Sequence, residues 1–96
     1  MRTMMRLQIP TEAGSRAIKD GSMAKLLERM MTELAPEAAY FLTEDGVRTA
    51  YIVFDMADSS RIPIIAEPFF QGLDANVGFR PVMNTDDLMR ALAELG

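Results

Sequence analysis

Apolar and polar residues alternate from the start of the chain. Across residues 2–9, Thr3, Met5, Leu7 and Ile9 fall on one side, and Arg2, Met4, Arg6 and Gln8 on the other. A period of two marks a β-strand, here with one apolar and one mixed face. Pro10 has no N–H to give to a sheet ladder and ends the strand. Residues 10–14 read as a loop, after which Ser15 is placed to cap a helical segment through its hydroxyl.

The helical pattern breaks at Gly21-Ser22, because glycine inside a helix costs about 1 kcal/mol relative to alanine. Ser22 is placed to cap a second helix. Its stripe is Met23, Leu26, Leu27, Met30, Met31 and Leu34, with Lys25, Glu28, Arg29 and Glu33 turned away. Met30 and Met31 lie on that stripe and read as core. Pro36 closes the helix.

Two β-prone runs follow, residues 37–43 and 48–55, around Glu44-Asp45-Gly46-Val47. Asp-Gly between such runs signals a tight hairpin, since both residues tolerate positive φ. In the first run both Ala39-Phe41 and Tyr40-Leu42 are acceptable inward-facing sets. Asp58-Ser59-Ser60 offers caps for a third helix, with Pro63 in its first turn and Ile62, Ile65, Ala66 and Phe69 sharing a face. Pro68 predicts a kink there or a re-formed short turn, because its ring clashes with the carbonyl of Ile64. Gly72 is the expected stop. Phe70 cannot share the core with Phe69, so it covers the sheet edge or packs on a partner.

Residues 74–82 form the last strand, with Ala75, Val77, Phe79 and Pro81 alternating with Asn76, Gly78, Arg80 and Val82. Pro81 argues for an edge position or the strand's end. Asn84 caps a final helix with Asp86 and Asp87 in its first turn and Leu88, Ala91, Leu92 and Leu95 as its stripe.

The order β-α-β-β-α-β plus a C-terminal helix predicts an α+β fold. A four-stranded antiparallel sheet carries helices on one face, the ferredoxin-like arrangement, with the first and third strands central. At 96 residues the chain fits one such domain, residues 1–96. A chain of this size hides roughly 65% of its unfolded surface and needs no staples.

Composition narrows the chemistry. There is no cysteine, histidine or tryptophan. Disulfides, thiolate nucleophiles, zinc-thiolate sites, histidine-ligated haem and the Ser-His-Asp triad are therefore out. Any metal would have to bind through oxygens alone, yet the carboxylates are scattered without calcium-loop spacing, so neither metal nor cofactor is expected. The net charge is −4. Residues 1–48 carry seven basic and seven acidic side chains, and residues 49–96 three and seven. Neither half offers the clustered cations that nucleic acid requires. No apolar run approaches the ~20 residues of a membrane span, and the basic N-terminus lacks the apolar core of a secretory signal. A cytoplasmic location is the resulting expectation.

The stretch from Ile18 to Leu88 carries Ile18-Lys19-Asp20-Gly21, Pro36-Glu37-Ala38-Ala39-Tyr40-Phe41, Glu67-Pro68-Phe69-Phe70 and Pro81-Val82-Met83. In these it resembles a group of short bacterial proteins without an assigned activity, within the dimeric α/β-barrel superfamily of ferredoxin-like proteins. The resemblance implies a homodimer in which two sheets meet through the faces that helices leave bare. Cofactor-free monooxygenases, lactone isomerases and haem enzymes share that superfamily, but many rely on His or Trp, which this chain lacks.

The mixed sheet face holds the candidate chemistry. Arg6 and Gln8 share it on the first strand and Tyr51 joins them on the third. Arg80 joins if Val77 and Phe79 face the helices, and Tyr40 if Ala39 and Phe41 point inward. Two guanidinium forks and two phenols suit a small anionic or oxygen-rich ligand. The plainer alternative is that the arginines pair with Asp55, Glu67 or a second subunit's carboxylates. Asp55 and Glu67 are the candidate general bases, if burial raises their pKa. Otherwise Asp55 caps the turn before the third helix and Glu67 anchors the kink. A third reading has no ligand: the mixed face is purely an interface.

Overall fold

The computed structural model describes all 96 residues, Met1–Gly96. Eight elements follow in order: β1 (Arg2–Ile9), α1 (Thr11–Asp20), α2 (Ser22–Leu34), β2 (Ala38–Glu44), β3 (Val47–Asp55), α3 (Arg61–Leu73), β4 (Asn76–Pro81) and α4 (Thr85–Leu95). The class is α+β. All strand pairs are antiparallel, in the order β2-β3-β1-β4, which makes β1 and β3 central.

Register decides which side chain faces where. Met5 pairs with Ile52 and Phe79, and Leu7 with Ala50 and Val77. Directly opposed residues share a sheet face. This face, with Thr3, Ile9 and Phe54, is sealed by Ala17, Met23, Met30, Phe69 and Leu73 of α1, α2 and α3. The period-two reading of β1 therefore holds, and Val77 and Phe79 do face the helices. On β2, Ala39 lies opposite Ile52 and Phe41 opposite Ala50, which puts Tyr40 and Leu42 on the other side. The hairpin turn is Asp45-Gly46 with both φ values positive, 55° and 78°. That is the geometry Asp-Gly favours in a two-residue connection.

The helix boundaries correct the expected ones. α1 starts at Thr11, directly after Pro10, so residues 10–14 are not a loop and Ser15 caps nothing. Gly14 is buried inside α1, where a Cβ would come within 2.7 Å of Arg48 Nη1 and 3.1 Å of Ile9 Cγ2. Its small size lets the helix lie close over β3. Gly21 ends α1 in the left-handed region at φ 84°, as the break required. Ser22 makes no side-chain cap, and its N–H instead donates to Asp20 Oδ1 at 2.8 Å. Met31 is 40% exposed and outside the core. Before α3, Asp58 accepts from the Ser60 N–H at 2.8 Å and from its hydroxyl, while Ser60 itself caps nothing. α3 runs as one helix through Pro68 and ends at Leu73, with Asp74 rather than Gly72 as its left-handed C-cap. A Cβ on Gly72 would meet Leu26 Cδ1 at 3.0 Å, so this glycine serves the approach of α3 to α2.

α4 has the predicted cap. Asn84 Oδ1 accepts from Asp87 N–H at 2.8 Å, and Asp87 Oδ2 accepts from Asn84 N–H at 3.1 Å. Its predicted stripe, however, is not buried. Leu88, Leu92 and Leu95 are 43%, 47% and 83% exposed, and no residue of α4 is buried. No helix in the chain is long and apolar enough to cross a membrane.

Candidate functional site

The sheet face away from α1–α3 is the place to look. β1 presents Arg2, Met4, Arg6 and Gln8 there, β3 Thr49, Tyr51, Val53 and Asp55, β4 Asn76, Gly78 and Arg80, and β2 Tyr40 and Leu42. The register lines up Tyr40, Tyr51, Arg6 and Gly78 in one row across the four strands, and Val53, Met4 and Arg80 in the next. All five residues expected to bind a ligand, Arg6, Gln8, Tyr40, Tyr51 and Arg80, thus share one face.

They do not form one cluster. Arg6 is held by Glu44, the last residue of β2. Its Nη2 donates to Glu44 Oε2 at 2.9 Å and its Nε to the same oxygen at 3.1 Å. Tyr51 donates its hydroxyl proton to the Glu44 carboxylate, at 2.7 Å to Oε2, while its oxygen accepts from Arg6 Nε at 3.1 Å. The Tyr51 hydroxyl first and the Arg6 guanidinium second hold the Glu44 pKa below its ordinary 4.5. Those bonds favour the charged carboxylate. Gln8 Nε2 sits 3.5 Å from both Thr49 Oγ1 and the Glu44 carbonyl. Tyr40 stands at the exposed β2 edge, 69% accessible.

Arg80 is different. Every ion pair in the structure involves Arg2, Arg6, Arg29, Arg90 or the N-terminal amine as cation, so Arg80 has no carboxylate partner. It lines a recess of about 240 Å³ with Met4, Arg6, Tyr51, Asn76 and Gly78. A Cβ on Gly78 would meet nothing within 4 Å. The recess is open where a side chain on β4 would otherwise fill it.

The expected pairings of the arginines need correction. Neither Arg6 nor Arg80 meets Asp55 or Glu67. Asp55 accepts from the Met1 amine at 2.6 Å, and that bond pushes its pKa down from 3.8. It therefore does not cap the turn before α3. Glu67 lies on α3, across the sheet from the recess, and accepts from Gln71 Nε2 at 2.8 Å. Glu44 does not stand out in the sequence, because beside Asp45-Gly46 it reads as part of the turn rather than as the last residue of β2. Its signal was its place one residue before Asp-Gly, where a β2 side chain reaches back over the sheet. Arg2 was not singled out either, and it joins Glu37 to Asp87 on α4, the latter at 2.6 Å. No group of three or more carboxylates is placed to hold a metal ion.

No family model matches the sequence, and no curated protein matches it either. Among solved structures, a de novo designed protein, Ferredog-Diesel, aligns over 84% of this chain and 85% of its own, with a TM-score of 0.49 and 7% identity.

Proposed function

We propose that this protein is a ferredoxin-like subunit of the dimeric α/β-barrel type, whose bare sheet faces meet and enclose a site for a small oxygen-rich anion. The strand order β2-β3-β1-β4 supports the ferredoxin-like part of this reading. The bare face supports the dimer: Met4, Tyr51 and Val53 interrupt its polar residues, and α1–α3 all pack on the opposite face. The observation that carries the ligand is Arg80, an unpaired guanidinium beside a recess kept open by Gly78. A planar fork of this kind takes a carboxylate or phosphate through two parallel hydrogen bonds. Arg6 is already neutralised by Glu44, so it shapes the recess, and Arg80 sets its charge. Asn76 adds an amide at the rim. Asp55 and Glu67 stand outside the recess, and the reading gives them no catalytic step.

Gly78→Val tests this directly. Valine suits a strand and its Cβ would meet no atom within 4 Å, so the fold is expected to be retained while the recess is filled. Titration with inorganic phosphate and with malonate, followed by amide chemical shifts, is expected to move β4 resonances in the wild type. Gly78→Val and Arg80→Gln are expected to abolish that response. Shifts that persist in both variants, or a silent wild type, sink the ligand reading. The closed Arg6–Glu44–Tyr51 network favours the second reading, in which the face is an interface alone. A silent wild type that is dimeric by light scattering selects it.

A further inference from the structure

We propose that α4 is an exchanged arm, which lies in an apolar groove of the partner copy between α1, α2 and β2. This rests on the dimer proposed above and adds a second contact to it. Two unpartnered surfaces of one chain motivate it. The first is the Leu88, Leu92 and Leu95 stripe on a properly capped helix none of whose residues is buried. The second is a groove of about 430 Å³ lined by Ile18, Met23, Leu27, Phe41 and Ala50. Ile18 and Phe41 at its mouth are 53% and 58% exposed. An amphipathic helix with an i, i+4, i+7 stripe fits a groove of this kind.

The chain cannot satisfy itself. α4 is rooted by the Asp87–Arg2 ion pair at the start of β1, on the bare face. The groove opens on the opposite face, at the Leu7–Ile9 end of the same strand. Arg2 and Ile9 are about 24 Å apart along β1. Leu95 lies only about 12 Å beyond Asp87 along the helix. The arm therefore falls short of its own groove.

Charge and area name a second copy as the occupant. Arg48 is the single charge in the groove lining, and it meets only the Thr11 carbonyl and the Ser15 hydroxyl, both at 3.3 Å. α4 brings Asp86 and Glu94, neither of which has an ion-pair partner. The accessible surface is 6366 Å². A compact monomer of this mass exposes roughly 5,500 Å². The excess of about 850 Å² matches the ~800 Å² that each partner buries in a stable interface. One arm and one groove per chain close as a reciprocal pair.

The absence of cysteine allows a clean test. Chains carrying only Leu92→Cys are mixed with chains carrying only Leu27→Cys and oxidised. A disulfide between the two chains is intermolecular by construction and is the expected product. Leu92→Asp is expected to weaken the dimer at least roughly tenfold in dissociation constant by light scattering. The fold is expected to survive that change because Leu92 is 47% exposed and no residue of α4 is buried. If Leu92→Asp leaves the dimer intact while Val53→Arg on the bare face breaks it, the sheet-face dimer stands and the exchanged arm is overturned. If Leu92→Asp weakens the dimer but the mixed disulfide does not form, the groove is the wrong seat and the proposal fails. A wild type that stays monomeric at high micromolar concentration overturns both readings and leaves the stripe to an unrelated partner.

Discussion

Glu44 ties Arg6 to Tyr51, and this sets how the bare face responds to acid. Its folded pKa is depressed below 4.5, so its contribution to stability is complete above that value and is lost as pH falls through the folded pKa. Replacing Glu44 by Gln removes this acid sensitivity. Thermal midpoints of the two proteins, measured from neutral pH downwards, are expected to differ most near neutrality and to converge in acid. Parallel curves would mean that the network does not discriminate charge. Arg6 was legible as a bare-face residue from alternation alone, and so was Tyr51. Their partner was not, because a hairpin's last strand residue reads as turn until the register places it. Gly14 misled in the same way. It resembles a loop residue, yet it sits inside α1, where Arg48 Nη1 and Ile9 occupy the space a side chain would need.

Strands were easier to read than helix ends. Alternation in β1 and β3, together with Asp-Gly, determines the pleat, and a one-residue slip would bury Arg6 and expose Met5. Helix starts depend on backbone partners that residue type does not reveal. Ser15, Ser22 and Ser60 are all acceptable caps by type and none acts as one. Two substitutions separate the elements energetically. Gly21 holds φ 84° between α1 and α2, and Gly21→Ala is expected to cost about 1–2 kcal/mol. Denaturant unfolding would show that as a lower midpoint with unchanged slope. Asn84→Ala removes the cap of α4 at a cost of about 1 kcal/mol. Because no residue of α4 is buried, that loss is expected, at dilutions where the chain is monomeric, as reduced helical circular dichroism with the core transition unmoved. A core midpoint that falls with it at those dilutions would mean that α4 supports the sheet within one chain. Ile52→Ala, at 0% exposure between β1 and the helices, gives the opposite pattern, a core loss of about 2–5 kcal/mol.

The whole molecule is long for its size. Its extents are 54 × 27 × 17 Å and its Cα radius of gyration is 15.2 Å. A compact domain of this length has a radius near 12.5 Å. α4 is the one helix with no buried residue, which fits a helix standing off the layer over the sheet. An ordered helix with a bare apolar stripe is tied to β1 through the Asp87–Arg2 ion pair and the Val82 N–H to the Arg2 carbonyl. Under the exchanged-arm proposal a second copy supplies the missing contacts, and stability then depends on concentration. The wild-type melting midpoint is therefore expected to rise with protein concentration over the micromolar range. A chain ended after Met83 keeps all four strands and α1–α3, and with them every buried residue. With the arm removed, the dimer retains only its sheet-face contact, so the midpoint is expected to be lower at high concentration and to meet the wild-type value on dilution, where both are monomers. Identical midpoints at every concentration would show that α4 adds nothing to assembly. A shortened chain that melts lower even at the greatest dilution would place the value of α4 inside the single subunit.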